Sequence, residues 1–289
     1  LRESADSRLG LLASTFRLSP ASLDLIHLCT AAEVAPELRT VFGALQYPQG
    51  FAHVTFWLAA RLFGYSPAQW SPEDPVFLWE LIRRESVSVV EPEALLLDPA
   101  IGAWLLGRDD LDAHLTSSVR RVRGTVEGAH PLVGETARRL EARILDARQP
   151  KVRLVVSGGS PRQAAEFASG VCAAMGLDAL LVECPAGESV EDGQFTRIQR
   201  RAFLDRAIPV WSGAPADWRT PWSWFPMQIV LNADGLPAAA GVEDLSVELS
   251  SAGHALPIPV LEQLAQRLEC PFEREDMVVP AAVDRKSVV

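Results

Sequence analysis

Lysine is nearly absent from this 289-residue sequence. Lys and Arg together number 27, yet Lys151 and Lys286 are the only lysines, so arginine carries almost all of the positive charge. The 37 Asp and Glu residues outweigh them and give a formal net charge of −10. Since phosphate backbones reward clustered positive charge, this acidic balance disfavours nucleic acid as a partner.

Cysteine is sparse, and long apolar runs are missing. Cys29, Cys172, Cys184 and Cys270 are far apart and form no C-x-x-C pair, whereas a zinc site needs clustered ligands. This spacing predicts separate buried thiols in a reducing compartment. No apolar run reaches the roughly 18 residues of a membrane span, and no signal-peptide pattern is visible. We therefore expect a cytoplasmic protein without a membrane span.

Residues 1–115 have the pattern of helices followed by a short hairpin. Ser19 can cap a helix and Pro20 fits its first position. Apolar residues at helical spacing predict helices over about 19–30, 36–45, 52–63, 75–84 and 98–107. Between the last two, β-branched or apolar runs at 87–90 and 95–97 predict two short strands. Helices followed by a small hairpin predict a winged-helix-like domain over 1–115.

The pattern changes after a polar, arginine-rich stretch, which we interpret as a linker with one amphipathic helix over 116–150. We expect strands over 152–156, 180–183, 208–212, 228–232 and 245–249. Helices over 160–175 and 196–207 lie between them. Strands that alternate with helices imply a parallel sheet, so an α/β domain is predicted for 151–269. Residues 270–289 would begin a lid or form a truncated tail.

A glycine-rich turn follows the first of these strands and opens a helix, which is the place of the phosphate loop in P-loop proteins. Arg162 stands at the Lys position and Gln163 at the Ser/Thr position, while Pro161 removes one N–H donor. Arginine is bulkier and forked, and does not replace that lysine conservatively. We therefore predict a degenerate phosphate loop formed by Ser157, Gly158, Gly159, Ser160, Arg162 and Gln163.

The acidic residues that a P-loop enzyme needs are also missing. The third strand is followed by Gly213, and the nearest acid is Asp217. Without a carboxylate, neither a metal nor an attacking water is positioned. Asn232 ends the next strand, where such ATPases keep a polar sensor, although Asn is also a common turn residue. No arginine lies between Asn232 and the last strand. We predict no catalytic residue and no cofactor for this segment.

Tryptophan is abundant, with eight in the chain, and four of them lie in the aromatic stretch from Trp211 to Phe225, which we predict to be a protein contact: Trp211, Trp218, Trp222 and Trp224. Trp218, Trp222 and Trp224 are candidate partner-binding residues, because aromatic side chains dominate interface hot spots. The alternative is a packed loop that covers the sheet edge.

One helix concentrates arginine, and the histidines are scattered. Its arginines could form a solvated face or meet an acidic neighbour in a ring; they are Arg197, Arg200, Arg201 and Arg206. No two histidines are spaced as in H-E-x-x-H, and no G-x-S-x-G elbow occurs. Neither a metal helix nor a serine nucleophile is therefore predicted.

Several helix-start and core segments, together with the turn after residue 156, carry a family resemblance. They are Leu18-Ser19-Pro20, Leu23-Asp24-Leu25-Ile26, Ala35-Pro36-Glu37-Leu38, Phe42-Gly43-Ala44-Leu45-Gln46, residues 95–98, Ile101 and Leu105-Leu106-Gly107. In these the chain resembles AAA-type ATPases with an N-terminal winged-helix domain from gene clusters of contractile injection systems. The resemblance extends to about Leu268.

The resemblance implies a cytoplasmic ATPase that assembles as a ring and remodels or helps to assemble protein complexes. Such proteins can carry two AAA modules, the first of them degenerate. We therefore expect a non-hydrolysing module with protein partners, continued beyond Val289 by an active AAA module. Two alternatives stay open. One is an active module that binds ATP and magnesium through Arg162, and the other is a DNA-binding winged helix.

Overall fold

The computed structural model describes residues 7–47, 50–88, 91–109, 112–127, 129–145, 151–184, 192–213, 225–232, 236 and 241–249. The N-terminal elements are α1 (Arg8–Phe16), α2 (Pro20–Val34), α3 (Leu38–Leu45), α4 (Phe56–Phe63), α5 (Pro75–Leu78), β1 (Ile82–Glu85), β2 (Ala94–Leu97) and α6 (Pro99–Leu105). They are followed by β3 (Val119–Val122), α7 (Val133–Leu145), β4 (Val152–Gly158), α8 (Pro161–Ala174), β5 (Asp178–Glu183), α9 (Asp192–Asp205), β6 (Ala207–Ser212), β7 (Met227–Leu231) and β8 (Glu243–Leu249). The fold is mixed α/β, as predicted.

Side-chain caps start the N-terminal helices where the sequence predicts them. The Ser19 hydroxyl accepts a hydrogen bond from the Ser22 backbone N–H, and Pro20 occupies the first turn of α2. The Asp98 side chain caps α6 in the same way, and Pro99 is the first residue of that helix. The helices pack around one apolar core that includes Leu25, Leu58 and Ile101. These predicted helices are thus confirmed, although α4 begins later than expected.

The helix predicted over 75–84 is wrong in its second half. α5 ends at Leu78, and Glu80 adopts the left-handed conformation with φ of 49°. This conformation cannot continue a right-handed helix. The chain then enters β1, which pairs antiparallel with β2 from Ile82 opposite Leu97 onwards. The hairpin is therefore real, but its first strand lies before the valines that suggested it.

Six strands form a mostly parallel sheet in the order β3-β5-β6-β7-β4-β8. The five strands predicted from the sequence, β4 to β8, run parallel to one another. β3 lies at one edge and pairs antiparallel with β5. The stretch predicted as a linker therefore contributes a strand. Val119 and Val122 make this possible because they add apolar side chains to the two faces of the sheet.

The two faces of the sheet have different coverings. α7 and α8 pack on one face, against residues such as Leu154, Ile208 and Ile229. α9 packs on the other, where Ile198 and Ala202 meet Leu180 and other buried strand residues. The outer side of α9 packs against the N-terminal helices, since Leu204 belongs to their apolar core. α9 is therefore enclosed between the sheet and the helical part.

Candidate functional site

The turn that resembles a phosphate loop is very short. β4 ends at Gly158 and α8 begins at Pro161, which leaves two residues between them. Gly158 and Gly159 both have positive φ, of 75° and 68°. A Cβ at Gly158 would lie 2.3 Å from the Leu249 carbonyl oxygen, so this glycine allows the backbones of β4 and β8 to approach.

The amino end of α8 is capped by the turn's own side chains. The Gln163 backbone N–H donates to Ser160 Oγ over 3.3 Å, and the Ser160 backbone N–H donates to Gln163 Oε1 over 2.8 Å. This reciprocal pair is a capping box. Pro161 has no N–H to offer. Two donors that an anion at this helix end would use are therefore already engaged, and a third is missing.

Arg162 is directed away from the turn, into solvent. Its side chain is 88% exposed, and its Nε lies 2.7 Å from Glu166 Oε1, one helical turn further on. The hydrogen bond that Arg162 donates to Glu166 raises the pKa of Arg162, so the guanidinium keeps its charge. The arginine at the lysine position thus pairs along the helix surface. Ser157 is placed elsewhere again, with its Oγ 3.5 Å from the Val247 carbonyl oxygen.

The strand ends that should carry acids and a sensor hold neutral groups. The Ser212 hydroxyl, at the end of β6, accepts a hydrogen bond from the Cys184 backbone N–H over 3.4 Å. Asn232 follows β7 in the left-handed conformation, with φ of 49°, and its N–H donates to the Val156 carbonyl. Asn tolerates this conformation better than most residues, which fits a turn position. Asp217 lies outside the described residues.

A cavity of about 850 Å³ opens beside these strand ends, on the α8 side of the sheet. Of the predicted site residues that the structure describes, only Asn232 lines it; the phosphate-loop residues 157–160, 162 and 163 do not. Pro161 and Ala165 of α8 form one wall. Sequence reasoning missed this cavity, because it depends on how far α8 extends across the sheet.

The tryptophans have separate roles. Trp211 is fully buried in β6, stacks on Phe195 at 5.6 Å between ring centroids, and donates from Nε1 to Gln228 Oε1 over 2.8 Å. It is a core residue and not part of an exposed surface. Trp218, Trp222 and Trp224 lie outside the described residues, so their predicted role in partner binding stays a prediction.

The arginines of α9 face the protein interior. Arg200 is 3% exposed, and its Nη2 lies 2.9 Å from Asp98 and 3.3 Å from Asp112. Its Nη1 donates to the carbonyl oxygens of Trp79 and Glu80. Burial lowers the pKa of Arg200, while the two aspartates work against that shift. The solvated face that the sequence suggested is therefore wrong for this residue.

Two further arginines of the same helix are paired as well. Arg197 contacts Glu80 at 3.2 Å and Asp112 at 3.3 Å. Arg201 binds Asp205 at 2.7 Å and donates to the Asp109 carbonyl. Burial raises the pKa of Asp205, and the Arg201 guanidinium opposes this rise. Arg206, after the helix end, is exposed. The charges on α9 therefore join it to the N-terminal part of the chain.

No protein-family model matches the chain, and no match was found among curated proteins. No group of three or more His, Cys, Asp and Glu side chains among the described residues could hold a metal ion. Within the same residues, each helix is too short or too polar to cross a membrane.

Proposed function

We propose that this chain is the N-terminal part of an AAA-family ATPase, and that the segment is a non-hydrolysing structural and interaction module. It would support the assembly or remodelling of a protein complex of the contractile injection system type. The energy would come from an active AAA module elsewhere in a homo-oligomeric ring. In this proposal the segment itself binds no nucleotide.

The parallel sheet is compatible with the α/β module of the proposal. Counted from β4, the strands lie in the order second, third, fourth, first and fifth. The fourth strand is thus inserted between the third and the first, and all five strands form the parallel part of an α/β sheet, as the sequence predicts for this segment. The helical part with its β1–β2 hairpin is compatible with the winged-helix-like module that the resemblance also implies.

The capped amino end of α8 is the main observation in support of a module that does not hydrolyse ATP. Its backbone donors are capped by Ser160 and Gln163, and Arg162 is paired with Glu166 in solvent. Phosphoryl transfer depends almost wholly on positioned charges and metal ions. A turn of two residues without a lysine, together with ends of β6 and β7 that carry no acid, provides neither.

Nucleotide assays on the purified chain test this proposal. We expect no ATP hydrolysis above background with magnesium, and no saturable heat of ATP binding by calorimetry. Arg162→Ala should change neither result, and Arg139→Ala, at an exposed position of α7, is the matched control. A turnover that rises with magnesium and vanishes in Arg162→Ala but not in Arg139→Ala would establish the rival reading of an active module.

A DNA-binding assay addresses the remaining alternative. With a net charge of −10, we expect no gel shift with duplex DNA at low salt. A gel shift that weakens as the salt concentration is raised would instead favour the hypothesis of a DNA-binding winged helix.

A further inference from the structure

We propose that the cavity beside the ends of β5, β6 and β7 binds a small zwitterion with an apolar side chain, that is, an apolar α-amino acid. This site is separate from the phosphate-loop turn and does not depend on the proposed role in an ATPase. Its volume of about 850 Å³ lies within the usual range for small-molecule sites. Its place also fits, because open α/β sheets bind ligands outside the carboxyl ends of their strands.

The floor and one wall of the cavity are apolar. Leu181, Val210 and Leu231 line it from three neighbouring strands, and all three pack on the α8 side of the sheet. Pro161 and Ala165 complete the wall from α8. A hydrocarbon or aromatic side chain would gain roughly 25 cal/mol for each Å² of apolar surface that it buries there.

The rim carries one positive and one negative side chain. Arg120 of β3 is opposite Leu181 of β5, and Glu183 lies two residues further along β5. Since side chains two residues apart in a strand share a face, Arg120 and Glu183 lie on the cavity side as diagonal neighbours. Diagonal partners are about 7–8 Å apart at the backbone, within reach of a ligand held between two long side chains.

Neither charge is used by the part of the chain that the structure describes. Both side chains are exposed, and neither makes a hydrogen bond or ion pair within the described ranges. The neighbouring Arg121, by contrast, forms an ion pair with Asp178 at 2.7 Å. The rim thus holds two opposite charges that remain available to a ligand.

An α-amino acid matches this arrangement. The Arg120 guanidinium can receive the ligand carboxylate through two parallel hydrogen bonds. The Glu183 carboxylate accepts from the ligand ammonium, and Ser117 and Ser212 are further polar residues of the lining. The ligand side chain then lies on the floor. A ligand with one charge would leave the opposite rim charge without a partner.

Calorimetric titration of the full chain with L-phenylalanine tests the site. N-acetyl-L-phenylalanine removes the ammonium charge and 2-phenylethylamine lacks the carboxylate, while both keep the aromatic body. We expect saturable binding of phenylalanine, with each analogue weaker by about tenfold or more, as the loss of a hydrogen bond to a charged group implies. L-glutamate should bind more weakly than phenylalanine, because its side-chain charge would meet the apolar floor.

Substitutions of Arg120 and Glu183 test whether these rim residues bind the charged groups of the ligand. Arg120→Gln and Glu183→Gln should each weaken phenylalanine binding by about tenfold. Arg123→Gln is the matched control, because Arg123 is 84% exposed beyond the end of β3 and does not line the cavity. The double exchange Arg120→Glu with Glu183→Arg should recover part of the affinity.

Three results would overturn the proposal. They are the absence of phenylalanine binding at millimolar concentration, equal binding of phenylalanine and both analogues, and rim variants that bind as well as Arg123→Gln. Circular dichroism of each variant shows whether the fold is intact. Ala165→Leu adds a readout that involves no charge, since a larger wall residue should reduce affinity by narrowing the cavity.

Discussion

Arg200 and Asp98 form a nearly fully buried ion pair, with 2.9 Å between Nη2 and Oδ1 and with side chains 3% and 1% exposed. Arg200 belongs to α9 under the sheet, and Asp98 caps α6 in the helical part. Their contact joins the two parts across 102 residues of sequence. A buried charge that loses its partner is costly, because the remaining charge is far from water.

Arg200→Met should destabilise the fold by about 3–5 kcal/mol, since among the described residues it removes the closest cationic partner of the buried Asp98 and leaves Asp112 with Arg197 alone at 3.3 Å. Urea unfolding followed by circular dichroism measures the change. The control is Arg139→Ala at an exposed position of α7, which should stay within about 0.5 kcal/mol. A loss as small as that of the control would show that the Arg200 network does not hold the parts together.

The double variant Asp98→Asn, Arg200→Met should be less destabilised than the sum of its single variants, with a coupling of about 1–3 kcal/mol. Asparagine keeps the cap of α6, so the cycle reports mainly on the lost charge. The measurement is a set of four urea curves. Additive effects would show that each residue acts through other partners.

Gly158→Ala should cost more stability than Gly176→Ala. Both glycines have φ above 70°, so each substitution carries the strain of a left-handed alanine, roughly 1–2 kcal/mol. Only at Gly158 would the new Cβ meet a backbone oxygen, at 2.3 Å, whereas nothing lies within 4 Å at Gly176. Thermal unfolding of the pair isolates this clash. Equal melting temperatures of the two variants would mean that β4 and β8 move apart at Gly158→Ala without a loss of stability.

Glu33→Gln should raise stability at neutral pH by a few tenths of a kcal/mol, the scale of a surface substitution. Burial, followed by the Asp98 charge, raises the pKa of Glu33, while Arg83 opposes the rise. The native state therefore binds a proton more readily than the unfolded state, and stability falls as pH rises from about 4.3 through the folded pKa. The advantage of the variant should vanish at pH 4.

Urea midpoints of the wild type and Glu33→Gln, at pH 7 and pH 4, measure this difference. Glu37→Gln, at an exposed position just before α3, is the control. An advantage of Glu33→Gln that is the same at both pH values would contradict the assignment to this carboxyl group.

Trp222→Ala combined with Trp224→Ala should weaken self-association or binding of a partner, and leave the fold intact. Aromatic anchors often contribute more than 1 kcal/mol each to an interface. Analytical ultracentrifugation measures association, and circular dichroism checks the fold. Trp57→Ala, at a 46% exposed tryptophan on α4, is the control. Unfolding of the double variant would instead make these residues part of the core.

Local signals were sufficient for most elements of the fold. Caps such as Ser19 and Ser160 act over three residues, and alternating apolar runs such as 245–249 report which strand positions are buried. Prediction was wrong at 75–84, because Glu80 leaves the helix for the left-handed region where Arg200 binds its carbonyl. It also missed β3, whose four residues become a strand only by pairing with β5.

The sequence by itself determined the type and succession of the parallel strands, the missing lysine at Arg162 and the absence of an acid directly after Ser212. These follow from residue identity and short-range spacing. Only the tertiary structure decided that Arg200 is buried against Asp98, that the α8 amino end is closed by its own cap, and that Arg120 and Glu183 share the rim of a cavity. The physical reason is that a helical or strand period shows which residues share a face, whereas the groups that cover that face come from distant segments of the chain.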